Sequence, residues 1–122
     1  MEKDVFCKIV ANELSSNTCY EDEFVKCIMD ISPAAPGHTL IIPKTHYTTI
    51  LDMSDEIIAK IHNAAKIMIK RMEENLPNIT GIKAVVNYGD EQAVKHYHLH
   101  LLPIYGTKPT ISQQDAFNLL KK

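Results

Sequence analysis

Residues 96–103 read His96-Tyr97-His98-Leu99-His100-Leu101-Leu102-Pro103, an alternation of imidazoles with large apolar or aromatic side chains. Successive side chains of a β-strand point to opposite faces, so the pattern predicts a strand. Tyr97, Leu99 and Leu101 would bury on one side, and His96, His98 and His100 would stand in a row on the other. At about 3.3 Å per residue, neighbours in the row lie roughly 7 Å apart at their α-carbons, close enough to surround one phosphoryl group. A surface strand that happens to carry three histidines is the plain alternative. Against it, these are half of the six histidines in the chain, packed into five positions.

A strand with one apolar face needs a cover, and the sequence upstream supplies one. Beyond Asp52 or Ser54 as candidate N-caps, Ile57, Ile58, Ile61, Ala65, Met68 and Met72 recur at helical period. Asp55 and Glu56 suit the positive pole of this helix and the basic run Lys66 to Arg71 its negative pole, while Asn75 and Pro77 stop it. Between this helix and the histidine row, Ile82 to Asn87 reads as a strand, followed by the polar loop Tyr88-Gly89-Asp90-Glu91-Gln92. Earlier still, Thr18 to Glu21 and Phe24 to Asp30 read as a hairpin. Ile31 to Gly37 is a Pro- and Gly-punctuated bend, and His38 to Pro43 is a short apolar strand closed by its proline. Val5, Phe6, Ile9 and Val10 mark a short helix within Asp4 to Glu13, and Ser112 to Lys122 can form another.

The resulting order, β-β-β-α-β-β, predicts an α+β fold: a mainly antiparallel five-stranded sheet with one long helix on one face and a short N-terminal helix. The other face is left for a site. A chain of 122 residues suits a single domain spanning 1–122, with a core over about 5–105 and a short tail, 106–122.

Composition narrows the class of function. With 45% apolar and 23% charged residues the chain is an ordinary globular sequence. A formal net charge of −2 and a pI near 6.3 provide no broad basic field, so neither nucleic acid nor an anionic membrane is an expected partner. No stretch approaches the apolar length of a membrane span, and Met1-Glu2-Lys3-Asp4 leads directly into the domain. A cytoplasmic location is expected. Cys7, Cys19 and Cys27 form an odd set without a Cys-x-x-Cys pair, which reads as reduced thiols.

Two chemistries compete for an imidazole row. Neutral imidazole is a common metal ligand, and alternating histidines on a strand can share one ion. Equally, one neutral imidazole can attack phosphorus while its neighbours stabilise charge developing on oxygen.

Beyond this local pattern, the chain resembles the histidine triad (HIT) family, whose signature is His-x-His-x-His followed by two apolar residues. The resemblance extends over Asp30-Ile31-Ser32-Pro33-Ala34-Ala35-Pro36-Gly37-His38, Leu40-Ile41-Ile42-Pro43-Lys44-x-His46, Asn87-x-Gly89 and Gln92-Ala93-Val94, in family order from about Phe6 to Pro103. It implies a nucleotide hydrolase of the nucleoside phosphoramidase type, in which the central histidine, here His98, attacks the α-phosphorus and forms a nucleotidyl-histidine intermediate. His96 and His100 would orient that ring and contact the phosphate, with His38 as a fourth active-site histidine. By the same resemblance Asp30 binds ribose hydroxyls, and Asn87, Gln92, Ala93 and Val94 contact phosphate and ribose. Val5, Phe6, Ile9, Ile28 and Ile31 would line an apolar slot for a purine base. Asp30 is also readable as a turn-entry residue before Ser32-Pro33, and the apolar set as core.

No cofactor is implied, because histidine supplies the nucleophile. A homodimer is expected by resemblance alone. Rival activities within the superfamily are dinucleoside polyphosphate hydrolysis and nucleotidyl transfer. Outside it stand a weakly catalytic nucleotide-binding protein and a metal protein using the triad.

The sequence departs from the family in two places. Ala93 stands where relatives carry a hydroxyl that assists the leaving group, and the Asn87 to Gln92 loop is short. Some bacterial relatives hold structural zinc through Cys-x-x-Cys and two histidines; here Asp4 takes the first cysteine position. That leaves Asp4, Cys7, His46 and His96 as a set poorer in soft ligands, and no metal is assigned. His62, off the apolar stripe of its helix, is expected to face solvent.

Overall fold

The computed structural model describes residues 4–121. Helix α1 (Val5–Val10) is followed by strands β1 (Thr18–Glu21), β2 (Val25–Met29) and β3 (Thr39–Pro43). The long helix α2 (Asp55–Asn75), strands β4 (Ile79–Val86) and β5 (Leu99–Tyr105), and helix α3 (Gln113–Leu120) complete the chain. The sheet has the order β1-β2-β3-β5-β4, and every pairing is antiparallel. This is the expected α+β architecture. No helix among the described residues is long and apolar enough to cross a membrane.

The alternation of side chains sorts the core into two clusters. Val25, Cys27 and Met29 of β2, Ile41 of β3, and Leu99 and Leu101 of β5 pack with Ile61, Ala64, Ala65, Met68 and Met72 of α2. Their strand neighbours Ile28, Leu40 and Ile42 face the other way and meet Phe6 and Ile9 of α1. The second face is therefore partly roofed by α1 rather than left wholly open. Both ends of that short helix are held by side chains. Asp4 caps its start, accepting from the Cys7 amide at 2.7 Å. Lys26, buried in β2, donates from Nζ to the Ile9 carbonyl at 3.1 Å, sharing that helix-end carbonyl with the Asn12 amide.

Boundaries differ from the sequence reading where side chains intervene. Ser54, not Asp52, caps α2, accepting from the Ile57 amide at 3.3 Å. Asp52 belongs to a separate short turn capped by Thr49. The run Lys66 to Arg71 stops short of the final turn of α2, which contains no basic residue, so the expected match to the negative pole is absent there. Arg71 instead donates to the carbonyls of Cys19 and Leu120, at 2.8 and 3.2 Å, tying β1 and α3 to α2. Strand β4 begins at Ile79 rather than Ile82, because a register irregularity between Ile79 and Gly81 hides its first residues from an alternation pattern. Strand β5 runs on through Pro103 to Tyr105. Its pairing with β3 ends at Leu101, so the proline falls where one edge is unpaired.

Gly37 closes the bend before β3 with φ +91°, and a β-carbon there would lie 2.9 Å from Leu76 Cδ1 and 3.0 Å from Pro103 Cγ. Gly89 also has positive φ, +70°, but open space around it. Gly37→Ala combines backbone strain with overpacking and is expected to destabilise by about 2–4 kcal/mol. Gly89→Ala carries the backbone cost alone, about 1 kcal/mol. Urea unfolding midpoints of the two variants check the difference.

Candidate active site

Sequence and sheet together put a cavity of about 340 Å³ on the α1 face. Val5, Phe6 and Ile9 of α1 form one wall, and Ile28, Met29 and Leu40 of the sheet form the floor. Asp30, Ile31 and Ser32 edge it on one side, and Ala93, Val94, His98 and His100 on another. All five residues of the expected apolar slot are thus brought together. Phe6, Ile9 and Ile28 serve both as core and as lining. Ile31, in contrast, is 98% exposed and stands at the rim. Met29 and Leu40 complete the lining, and the sequence reading had placed neither there.

The triad does not form one row. Strand β5 starts only at Leu99, so His96 and His98 lie in the segment entering it. His98 and His100 face the cavity with ring centroids 4.8 Å apart. His96 is fully buried and faces a different set of side chains: Asp4 Oδ1 at 3.3 Å, Cys7 Sγ at 3.6 Å, and the His46 ring at 4.8 Å between centroids. The expectation that three imidazoles surround one phosphoryl group is corrected to two, because the His96 ring is turned away beneath α1. The shared-ion reading fails with it. Among the described residues His96 groups with Asp4, Cys7 and His46, His100 with Asp30 and His38, and His98 with neither.

What His96 offers the site is its carbonyl, which accepts from His98 Nδ1 at 2.8 Å. A carbonyl can only accept, so Nδ1 carries the proton, and in the neutral ring Nε2 keeps its lone pair. The same logic runs through the other pair. The Ala34 amide donates to His38 Nδ1 at 3.1 Å, which leaves the proton of a neutral His38 on Nε2. That nitrogen lies 3.0 Å from His100 Nδ1 and donates to it. The proton of His100 is then on Nε2, a buried atom with no partner among the described residues. Burial holds both rings below the ordinary histidine pKa, and for His100 the neighbouring His98 and His38 add to the effect. The site therefore presents one imidazole lone pair, and one imidazole N–H lies buried beside it.

Asp30 sits beside this chain. Its Oδ1 accepts from the Ser32 amide at 2.8 Å, the turn-entry role, and Oδ2 lies 3.5 Å from His38 Nε2. Asn87 lies beyond the cavity, with Val85 and Leu102 around a smaller hollow of about 170 Å³ on which His38 and His100 also border. Gln92 is not brought to the site. It is buried after the turn at Gly89–Glu91, and its amide donates to the Thr48 carbonyl at 2.7 Å. One residue the sequence reading missed lies in the tail: Gln113 bonds the backbone at both ends of the bend that carries Asp30 and His38. No local pattern marks a glutamine for such a long-range contact. His62 is exposed, as expected.

The second cluster suits a metal better than the triad does. His96 donates from Nε2 to the Pro43 carbonyl at 3.0 Å, so the Nδ1 lone pair of the neutral ring faces the Asp4 carboxylate and Cys7. Burial lowers the His96 pKa against the opposing pull of Pro43 and Asp4. Burial also raises that of Asp4, but the Cys7 amide and the charges of His96 and His46 outweigh it and leave the carboxyl below its ordinary value. The Asp4 carboxylate, Cys7 and His96 Nδ1 converge, with the far nitrogen of His96 already held by a carbonyl. His46 Nε2, 2.9 Å from the Lys95 carbonyl and 3.1 Å from Asp4 Oδ2, would have to give up its proton to join them around a four-ligand ion such as zinc. Asp4, Cys7, His46 and His96 would hold it, and its contribution would be to fasten α1 to the segments before β5 and after β3.

Comparison with known proteins agrees with this fold. The HIT domain family model matches residues 11–107. Protein hit of Bacillus subtilis is 37% identical over 107 residues, 86% of this chain and 73% of that protein. The adenosine 5′-monophosphoramidase HNT1 of Saccharomyces cerevisiae is 34% identical over 99 residues, 81% of this chain and 61% of that protein. A zinc-bound histidine triad family protein from Mycobacterium smegmatis superposes with a TM-score of 0.86 at 31% identity, covering 96% of this chain and 89% of that one. A family match over most of the chain, relatives more than 30% identical and a shared fold lead to one conclusion: the chain belongs to the HIT domain family.

Proposed function

We propose that the chain is a cytoplasmic hydrolase of nucleoside phosphoramidates or related adenylylated compounds, with His98 as its nucleophile. The observation that carries this reading is the 2.8 Å bond from His98 Nδ1 to the His96 carbonyl. It points a lone pair, rather than an N–H, from a ring that borders an apolar slot. In the first step His98 Nε2 forms a bond to the α-phosphorus as the phosphorus–nitrogen bond to the leaving group breaks, and the amine departs with a proton taken from water. Water then attacks the same phosphorus, losing a proton to solvent as the bond to His98 Nε2 breaks, so that the nucleotide is released and the neutral ring restored. The His100 Nε2 proton is the donor for charge on the phosphoryl oxygen. Asp30 accepts from ribose hydroxyls, and the slot takes a purine base. His96 acts through its carbonyl.

A second reading, nucleotide binding with weak turnover, draws on Ala93. This residue lines the cavity beside His98 and supplies no hydroxyl to the departing amine. A homodimer fits the open edge of the sheet: β4 is the terminal strand, and Val85 and Val86 are exposed on it.

Three outcomes follow. Rapid mixing with labelled adenosine phosphoramidate and a brief acid quench traps nucleotide on His98. His98→Ala abolishes both label and turnover while nucleotide binding persists, and a folded variant with wild-type turnover would refute the mechanism. Asp30→Ala weakens ribonucleotide substrates by about 1.5–3 kcal/mol and a substrate lacking the ribose hydroxyls much less; equal losses in kcat/KM assign Asp30 to folding alone. Ala93→Ser accelerates amine leaving groups more than a phenolate, and an unchanged ratio means that water or another group protonates the amine.

A further inference from the structure

The bend from Asp30 to His38 bears two site residues at its ends and is held from outside the cavity. Gln113, the first residue of α3, donates from Nε2 to the Asp30 carbonyl and to the His38 carbonyl, both at 3.0 Å. Its Oε1 accepts from the Gly37 amide at 2.8 Å. Both N–H groups and the oxygen of one side-chain amide are thus spent on a single bend. Glutamate has no donors for this, lysine and arginine have no acceptor, and asparagine is one methylene shorter.

The far end of the clamp is anchored. Ser112 and Asp115 form a capping box at the start of α3, Ala116 and Leu120 are buried in the α2 cluster, and Arg71 holds the Leu120 carbonyl at 3.2 Å. Gln113 does not line the cavity, yet what it fixes does. The Asp30 amide also donates to the His38 carbonyl at 3.0 Å, so the two ends are stapled together. Asp30 Oδ2 stands 3.5 Å from His38 Nε2 across that staple.

We propose that Gln113 is a positioning residue of the nucleotide site, setting the Asp30 carboxylate against His38 from the C-terminal helix. The inference rests on the reading of Asp30 as the ribose-binding group. It makes the tail beyond the sheet part of the substrate-binding apparatus, although no atom of Gln113 touches the substrate.

Gln113→Met removes all three bonds with little change of volume. With a ribonucleoside phosphoramidate, its KM should rise roughly tenfold with kcat less affected, as expected for lost charged and neutral hydrogen bonding. On the same substrate without ribose hydroxyls the change should stay under about twofold, and Asp30→Ala/Gln113→Met should bind no worse than Asp30→Ala. Amide hydrogen exchange at Gly37 should accelerate in the single variant, independently of any activity. Wild-type KM, additive losses in the double variant, or equal losses on both substrates would overturn the proposal. If Asp30→Ala raises KM and Gln113→Met does not, the clamp alone is wrong. An Asp30→Ala protein with wild-type KM on the ribonucleotide removes the site reading and this inference together. Should Gln113→Met fail to fold, Gln113→Asn is read by the same measurements, with the same outcomes deciding.

Discussion

Leu99 and Leu101 pack beneath α2 with Ile41 and Met68, and the pleat that sends them there forces His100, between them, to the opposite face. Burial of those apolar side chains is what fixes the register of β5 against β3 and β4. A slip of one residue would place imidazoles against Met68 and Ile61 and expose the leucines. The core and the site are consequently the two sides of one strand. The same division holds along β2 and β3, where Cys27 and Ile41 serve the α2 core while Ile28 and Leu40 floor the slot.

On the site face, electrostatic order comes from main-chain groups whose polarity cannot change. The His96 carbonyl and the Ala34 amide each touch one ring nitrogen, and between them they settle the proton positions of three imidazoles. No carboxylate is needed to orient the candidate nucleophile. Asp30, bound on one oxygen by its own turn, stands with the other 3.5 Å from His38 Nε2 at the edge of the cavity. Burial favours the neutral rings on which this arrangement depends.

Much of the architecture was legible because it is periodic. Ile61, Ala65, Met68 and Met72 at helical spacing, and Leu99 and Leu101 at strand spacing, identify their own buried faces without reference to distant residues. Val5, Phe6 and Ile9 marked α1 for the same reason. Alternation misled at His96, whose carbonyl is spent on the His98 ring and whose side chain follows Asp4 and His46 instead of the strand. The helix-end charges of α2 misled too, since Arg71 is engaged by the carbonyls of β1 and α3. Gln92 and Gln113 show the limit most plainly: both are glutamines in polar stretches, and only the folded chain decides that one reaches Thr48 and the other the bend at Asp30.

Helix α1 has six residues, far below the length at which a helix persists in water unaided. Its start is tied by Asp4 to His46 Nε2 at 3.1 Å, its end by the buried ammonium of Lys26, and its apolar side is the wall of the slot. Local order in this wall and occupancy of the slot are thermodynamically linked: any apolar group lodged against Phe6 and Ile9 would add contacts that exist only while the helix is docked. Fastening α1 more tightly from behind, through Asp4 or Lys26, therefore raises affinity in front without altering any atom that meets the ligand, because less ordering remains to be done on binding.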